Sequence, residues 1–200
     1  MRKKVRSFRQ HTRETCGIAC ILMLLDYYRR VQYPTRKMEL NLYQRYRSRA
    51  FKGLPGSFAA DCLSKNGLQV ELLHSAPEYM ENREDYYEEA LYTALLREYK
   101  SGVERCAHRV THRRNVELDS EVLKTQLSEG KLVMVQCIVP GDADGIHTHT
   151  LHWVLVYGWD AEGFLVCDPN FGKCRIPEEE MEGYMDAPVG RLFLTVREGQ

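Results

Sequence analysis

The chain has 200 residues, 44% of them hydrophobic, 28% charged and 10% aromatic, a composition too rich in core formers for a disordered or low-complexity protein. Lys plus Arg and Asp plus Glu both number 28, so no overall field recruits nucleic acid or an anionic membrane. The longest apolar run, Ile18 to Leu25, is eight residues against the ~18 a spanning helix needs, and the basic start has no apolar signal region behind it. Seven scattered cysteines without a CxxC pair fit reduced thiols in a cytosol, and the expected location is cytoplasmic.

In chain order, the basic segment to Arg13 reads as a solvated arm. Thr15 as N-cap opens a helix that is apolar on every face up to Leu25 and therefore buried. Gly53 to Gly56 mark a loop, Ser57 caps a short helix over Phe58 to Lys65 that Asn66 and Gly67 close, and Leu68 to Leu73 form a strand. Residues 78–115 are the least core-like and read as an inserted helical arm, with leucines and tyrosines at helical spacing between Glu84 and Lys100 that serve packing. A helix from Asp119 to Ser128 precedes strands over Lys131 to Val139, Leu151 to Tyr157, Phe164 to Cys167 and Arg191 to Val196. Helices first and an antiparallel sheet afterwards define an α+β fold, expected as a single domain over residues 1–200.

Cys16 falls in the first turn of the buried helix, where unpaired N–H groups and the positive end of the dipole favour a thiolate. Cys20, one turn further in, is desolvated and inert, and Cys62, Cys137 and Cys167 read as small core hydrophobes. A nucleophile needs a base. His152 and Asp168 are equidistant from Asp160 in a glycine-bounded hairpin, which predicts that they oppose each other with Cβ atoms ~4.5 to 5.5 Å apart. Gln10, six residues before Cys16, can add an amide donor to the Cys16 N–H in holding an oxyanion. His11 is a second candidate base, ranked lower because no acid lies at a comparable spacing. His147, His149 and His152 lack the spacing of a metal motif, so no metal and no cofactor is expected.

Gln10-x5-Cys16-Gly17-x-Ala19-Cys20 before an apolar helix, then His152-Trp153-Val154-Leu155-Val156-x-Gly158 and Asp168-Pro169, resembles the papain-like peptidase domain of bacteriocin-exporting ABC transporters. The resemblance spans nearly the whole chain and implies a papain-like fold in which Cys16 attacks, His152 is base and acid, Asp168 orients His152 and Gln10 completes the oxyanion hole. Family members cut leader peptides after a double glycine, so the implied partner is a peptide or protein substrate, with a transporter as a further candidate. Three departures stand out: Thr15 where the family often has an acid, Trp153 where Tyr or Phe is usual, and no transporter portion. An acyltransferase or peptide ligase and, from another class, an inactive peptide-binding module stay open as alternatives.

Overall fold

The computed structural model describes residues 4–50, 53–76, 89–139, 150–186 and 190–199. Helices α1 (Cys16–Tyr27), α2 (Arg36–Tyr46) and α3 (Gly56–Lys65) lead into strand β1 (Leu68–His74), helix α4 (Glu89–Cys106), strand β2 (Val110–Arg113) and helix α5 (Ser120–Ser128). Strands β3 (Leu132–Val139), β4 (Thr150–Asp160), β5 (Gly163–Asp168) and β6 (Gly172–Ile176), helix α6 (Glu178–Met185) and strand β7 (Leu192–Glu198) follow. The strands form one sheet in the order β2-β1-β7-β3-β4-β5-β6. All neighbours are antiparallel except β1 and β2, which run parallel, so the sheet is mixed rather than purely antiparallel.

Alternation along β4 divides the core in two. Trp153 and Leu155 join a layer with α1 and α3, while Val154 and Val156 join a layer with α5 and α6. Helix α1 is buried from Cys16 through Asp26 because β4 covers one side and α2 and α3 the others. Its apolar character on every face follows from that placement. Close approach to the sheet also explains Gly17: a Cβ there would lie 2.8 Å from Leu54 Cδ2 and 2.9 Å from Trp153 Cδ1. The indole cannot yield easily, since Trp153 Nε1 donates to the Leu54 carbonyl at 3.0 Å. Gly17→Ala should therefore cost about 1–3 kcal/mol by overpacking. In a thermal melt this appears as a fall of several degrees in Tm, and an unchanged Tm would show that Leu54 and Trp153 have room to move.

The N-terminal arm is not simply solvated. Val5 is buried, Arg6 Nε donates to buried Asp26 at 2.7 Å, and Arg9 donates to the Phe171 carbonyl at 3.0 Å. The Arg6 contact sets a cation against a carboxylate that α1 buries. Ser57 does not cap α3: the helix starts two residues earlier than expected, at Gly56 with Pro55 as N-cap, and the Ser57 hydroxyl is buried with no hydrogen-bond partner among the described residues. Of the expected arm over residues 78–115, residues 77–88 lie outside those described. The remainder supplies α4, which packs on α3 through buried Tyr99, Gly102 and Cys106, and the edge strand β2. No helix among the described residues is long and apolar enough to cross a membrane.

Candidate active site

Cys16 opens α1 and is 7% exposed. At a helix start the first N–H groups have no intrahelical acceptor, and the dipole presents its positive end to the sulfur. His152 lies two residues after the start of β4 and is buried. Its Nε2 meets Asp168 Oδ1 at 3.1 Å, and the ring stands close enough to Cys16 for the two groups to interact electrostatically. With Nε2 occupied, Nδ1 is the nitrogen left for the sulfur. Two strands from the far half of the chain, β4 and β5, thus meet the first turn of the N-terminal helix at one imidazole.

Asp168 reaches His152 by a different register from the one spacing predicts. The ladder pairs Leu155 with Cys167 and Val156 with Val166, then a bulge at Tyr157 shifts it so that Gly158 faces Leu165 and Asp160 faces Gly163. The turn is therefore Ala161–Glu162 rather than the whole glycine-bounded segment, and one step beyond Leu155 and Cys167 sets Val154, not His152, against Asp168. His152 stands two residues from that position, on the diagonal, where a long side chain still reaches a same-face neighbour. The second carboxylate oxygen of Asp168 accepts from Tyr184 on α6 at 3.4 Å, and Oδ1 also accepts the Asn170 N–H at 2.6 Å.

Charge distribution follows from these bonds. Burial works against an imidazolium at position 152, but the hydrogen bond to Asp168 and the neighbouring Cys16 outweigh it and push the group up to about 9. Burial likewise opposes ionisation of Asp168, yet the bond from His152 and the backbone N–H groups of Asn170 and Phe171 hold its carboxyl below the usual range. The inert role expected of the other buried thiols agrees with their surroundings. Burial raises Cys20 and Cys137, Cys62 goes up to about 12 and Cys167 to about 11. Cys20 and Cys137 spend their S–H groups on the carbonyls of Trp153 and His152, each at 3.4 Å.

Gln10 is brought to the same corner. Its backbone N–H donates to the Pro169 carbonyl at 3.0 Å, just after Asp168, and its Nε2 donates to the Thr12 carbonyl at 2.8 Å. One amide hydrogen is thus engaged within the turn, and the amide oxygen Oε1 is buried with no hydrogen-bond partner among the described residues. His11 has an acid after all: its ring Nδ1 meets Glu39, a fully buried residue of α2 that no local spacing reveals. Thr15 sits at the N-cap of α1, but its hydroxyl bonds the Thr12 carbonyl at 3.0 Å and Glu39 at 2.6 Å instead of capping the helix. Sequence reasoning missed Glu39 and Tyr184 because it did not foresee α2 or α6. Of the three histidines weighed as metal ligands, His147 and His149 lie outside the described residues. Among the described residues no group of three His, Cys, Asp or Glu is arranged to hold a metal ion.

A thiol beside an imidazole that is hydrogen-bonded to a carboxylate, on an α+β scaffold, points to the papain-like class, and solved structures agree on the fold. A double glycine motif protease from an AMS/PCAT transporter, solved with its leader peptide, is 16% identical, with 98% of this chain and 93% of that chain covered and a TM-score of 0.51. The peptidase domain of Streptococcus ComA, a bi-functional ABC transporter of a quorum-sensing pathway, is 12% identical, with 98% and 100% covered and a TM-score of 0.52. The chain has the papain-like fold of these C39 peptidase domains. No curated protein matches it. Residues 5–189 match the Peptidase_C39 like family, and the chain belongs to that family.

Proposed function

We propose that this chain is a cysteine peptidase whose nucleophile is Cys16, with His152 as base and acid, Asp168 orienting the imidazole and Gln10 donating to the oxyanion. The observation that carries the reading is the buried His152–Asp168 hydrogen bond set beside Cys16 at the start of α1. The Cys16 sulfur adds to a peptide carbonyl carbon, forming the C–S bond while the carbonyl oxygen takes the electron pair. The second amide hydrogen of Gln10 and the N–H of Cys16 stabilise that oxygen. Collapse breaks the C–N bond, the amine leaves with the proton held by His152, and a water deprotonated by His152 cleaves the thioester. Residues 1–200 act as one domain in this reading, and its reduced thiols suit a cytoplasmic setting.

The preferred substrate class is a leader or pro-peptide cut after small residues such as Gly-Gly, an extended segment slim enough to lie beside a nucleophile that is itself 7% exposed. Mass spectrometry of products from a leader-type peptide carrying an internal Gly-Gly tests this. Scission after the second glycine is expected in the wild type and none in Cys16→Ala. Joined products on adding a second amine would favour a ligase, and tight binding without products a recognition module. Gln10→Ala should lower kcat by about 10²-fold with little change in KM, because the amide acts on the transition state. A change confined to KM would assign Gln10 to substrate binding instead.

A further inference from the structure

The turn that precedes the nucleophile is held from an element that contributes nothing else to the row of reacting groups. Glu39 is 0% exposed, and its carboxylate bonds His11 and Thr15, within the turn before Cys16. Oε1 accepts the His11 backbone N–H at 2.9 Å and the Thr15 hydroxyl at 2.6 Å, while Oε2 takes the His11 ring. A carboxylate removed from water is expensive unless such donors match it, so these bonds fix the turn against α2. The Thr15 hydroxyl also reaches the Thr12 carbonyl, the same oxygen that the Thr15 N–H meets at 3.3 Å and Gln10 Nε2 at 2.8 Å. One carboxylate is thereby connected to the Gln10 amide through three hydrogen bonds, and to the Cys16 N–H through the residue directly before it.

We propose that Glu39 is a positioning residue for acyl transfer at Cys16, its buried carboxylate holding the Gln10–Cys16 turn so that the amide of Gln10 and the N–H of Cys16 converge on one oxyanion. The proposal rests on the acyl-transfer reading above. It predicts a split between two reactions of the same sulfur. Iodoacetamide alkylates by displacement of iodide at a saturated carbon, where no oxyanion forms. 4-Nitrophenyl acetate is attacked at a carbonyl, forms an oxyanion, and transfers its acetyl group to sulfur as nitrophenolate leaves.

In Glu39→Gln, which puts an NH2 group among donors, the alkylation rate should match the wild type while the ester rate falls by about tenfold to a hundredfold. Thr15→Val, which removes the hydroxyl at constant shape, should show the same split, and Thr15→Ser should recover the ester rate. An ester-to-alkylation ratio equal to the wild type in both Glu39→Gln and Thr15→Val would overturn the proposal. So would a parallel loss of both rates that Thr15→Ser does not relieve, since that marks a general structural role. A wild type that alkylates but is never acylated by the ester would also overturn it, because the turn would then hold no oxyanion. Failure of the peptidase reading looks different: the ester acylates Cys16, yet no peptide is cut.

Discussion

Cys16→Ala should bring peptide turnover down to the background rate, a loss on the order of 10⁶-fold if the sulfur forms the covalent intermediate. No other thiol can substitute. Cys20 and Cys137 are buried at 0% exposure with their S–H groups bonded to backbone carbonyls, and burial raises both above the usual thiol range. Cys174 is exposed, but it lies on the edge strand β6, and burial of its sulfur also raises it. An activity-based electrophile should accordingly label the wild type at Cys16 alone and leave Cys16→Ala unlabelled. Substrate binding should survive the substitution, because alanine removes one atom and creates no clash.

His152→Ala should lower kcat by about 10²–10⁴-fold, the range supplied by a positioned acid and base. Its pH signature is more specific than its size. The imidazolium that protonates the leaving amine is retained at neutral pH and lost as pH rises through about 9, so wild-type turnover should decline on the alkaline side near that value. That limb should be absent in His152→Ala. In Asp168→Asn the carboxylate that helps to hold the proton is gone while burial still opposes it, so the limb should move to lower pH. A limb that stays in place would mean that the contact with Cys16, and not Asp168, sets the protonation of His152.

Much of this arrangement was legible in the chain because it rests on patterns with a single physical solution. A helix apolar on every face must be buried, and a cysteine at its start must sit among unpaired N–H groups. Alternating strands around the Asp160–Gly163 turn must bring His152 near Asp168. The register was not legible, since one extra residue at Tyr157 changes which side chains oppose each other and a bulge leaves no mark in apolar alternation. Helix α2 was missed because what it buries is Glu39 and Tyr46, a carboxylate and a phenol, rather than an apolar stripe. Strand β6 buries only its end residues Gly172 and Ile176 at the edge of the sheet, and α6 only Met181 and Met185, so neither repeats long enough to show a period.

The same reasoning explains what the sequence obscured at the site. The basic arm looked solvated because its acid partner, Asp26, lies 20 residues away within a segment that reads as pure core. His11 looked unsupported because Glu39 comes from α2, and Tyr184 reaches Asp168 from α6. Each is a contact between elements distant in sequence, made by a polar residue whose role is set by what folds against it. Local spacing carries no information of that kind.

The account depends on His152 controlling the reactivity of Cys16, and the pH dependence of Cys16 alkylation by iodoacetamide, compared between wild type and His152→Ala, measures this directly. The wild-type curve should show a change in rate near pH 9, where the imidazole loses its proton, and His152→Ala should abolish that change. Superimposable curves for the two proteins would contradict it, because the sulfur would then react without reference to the imidazole beside it.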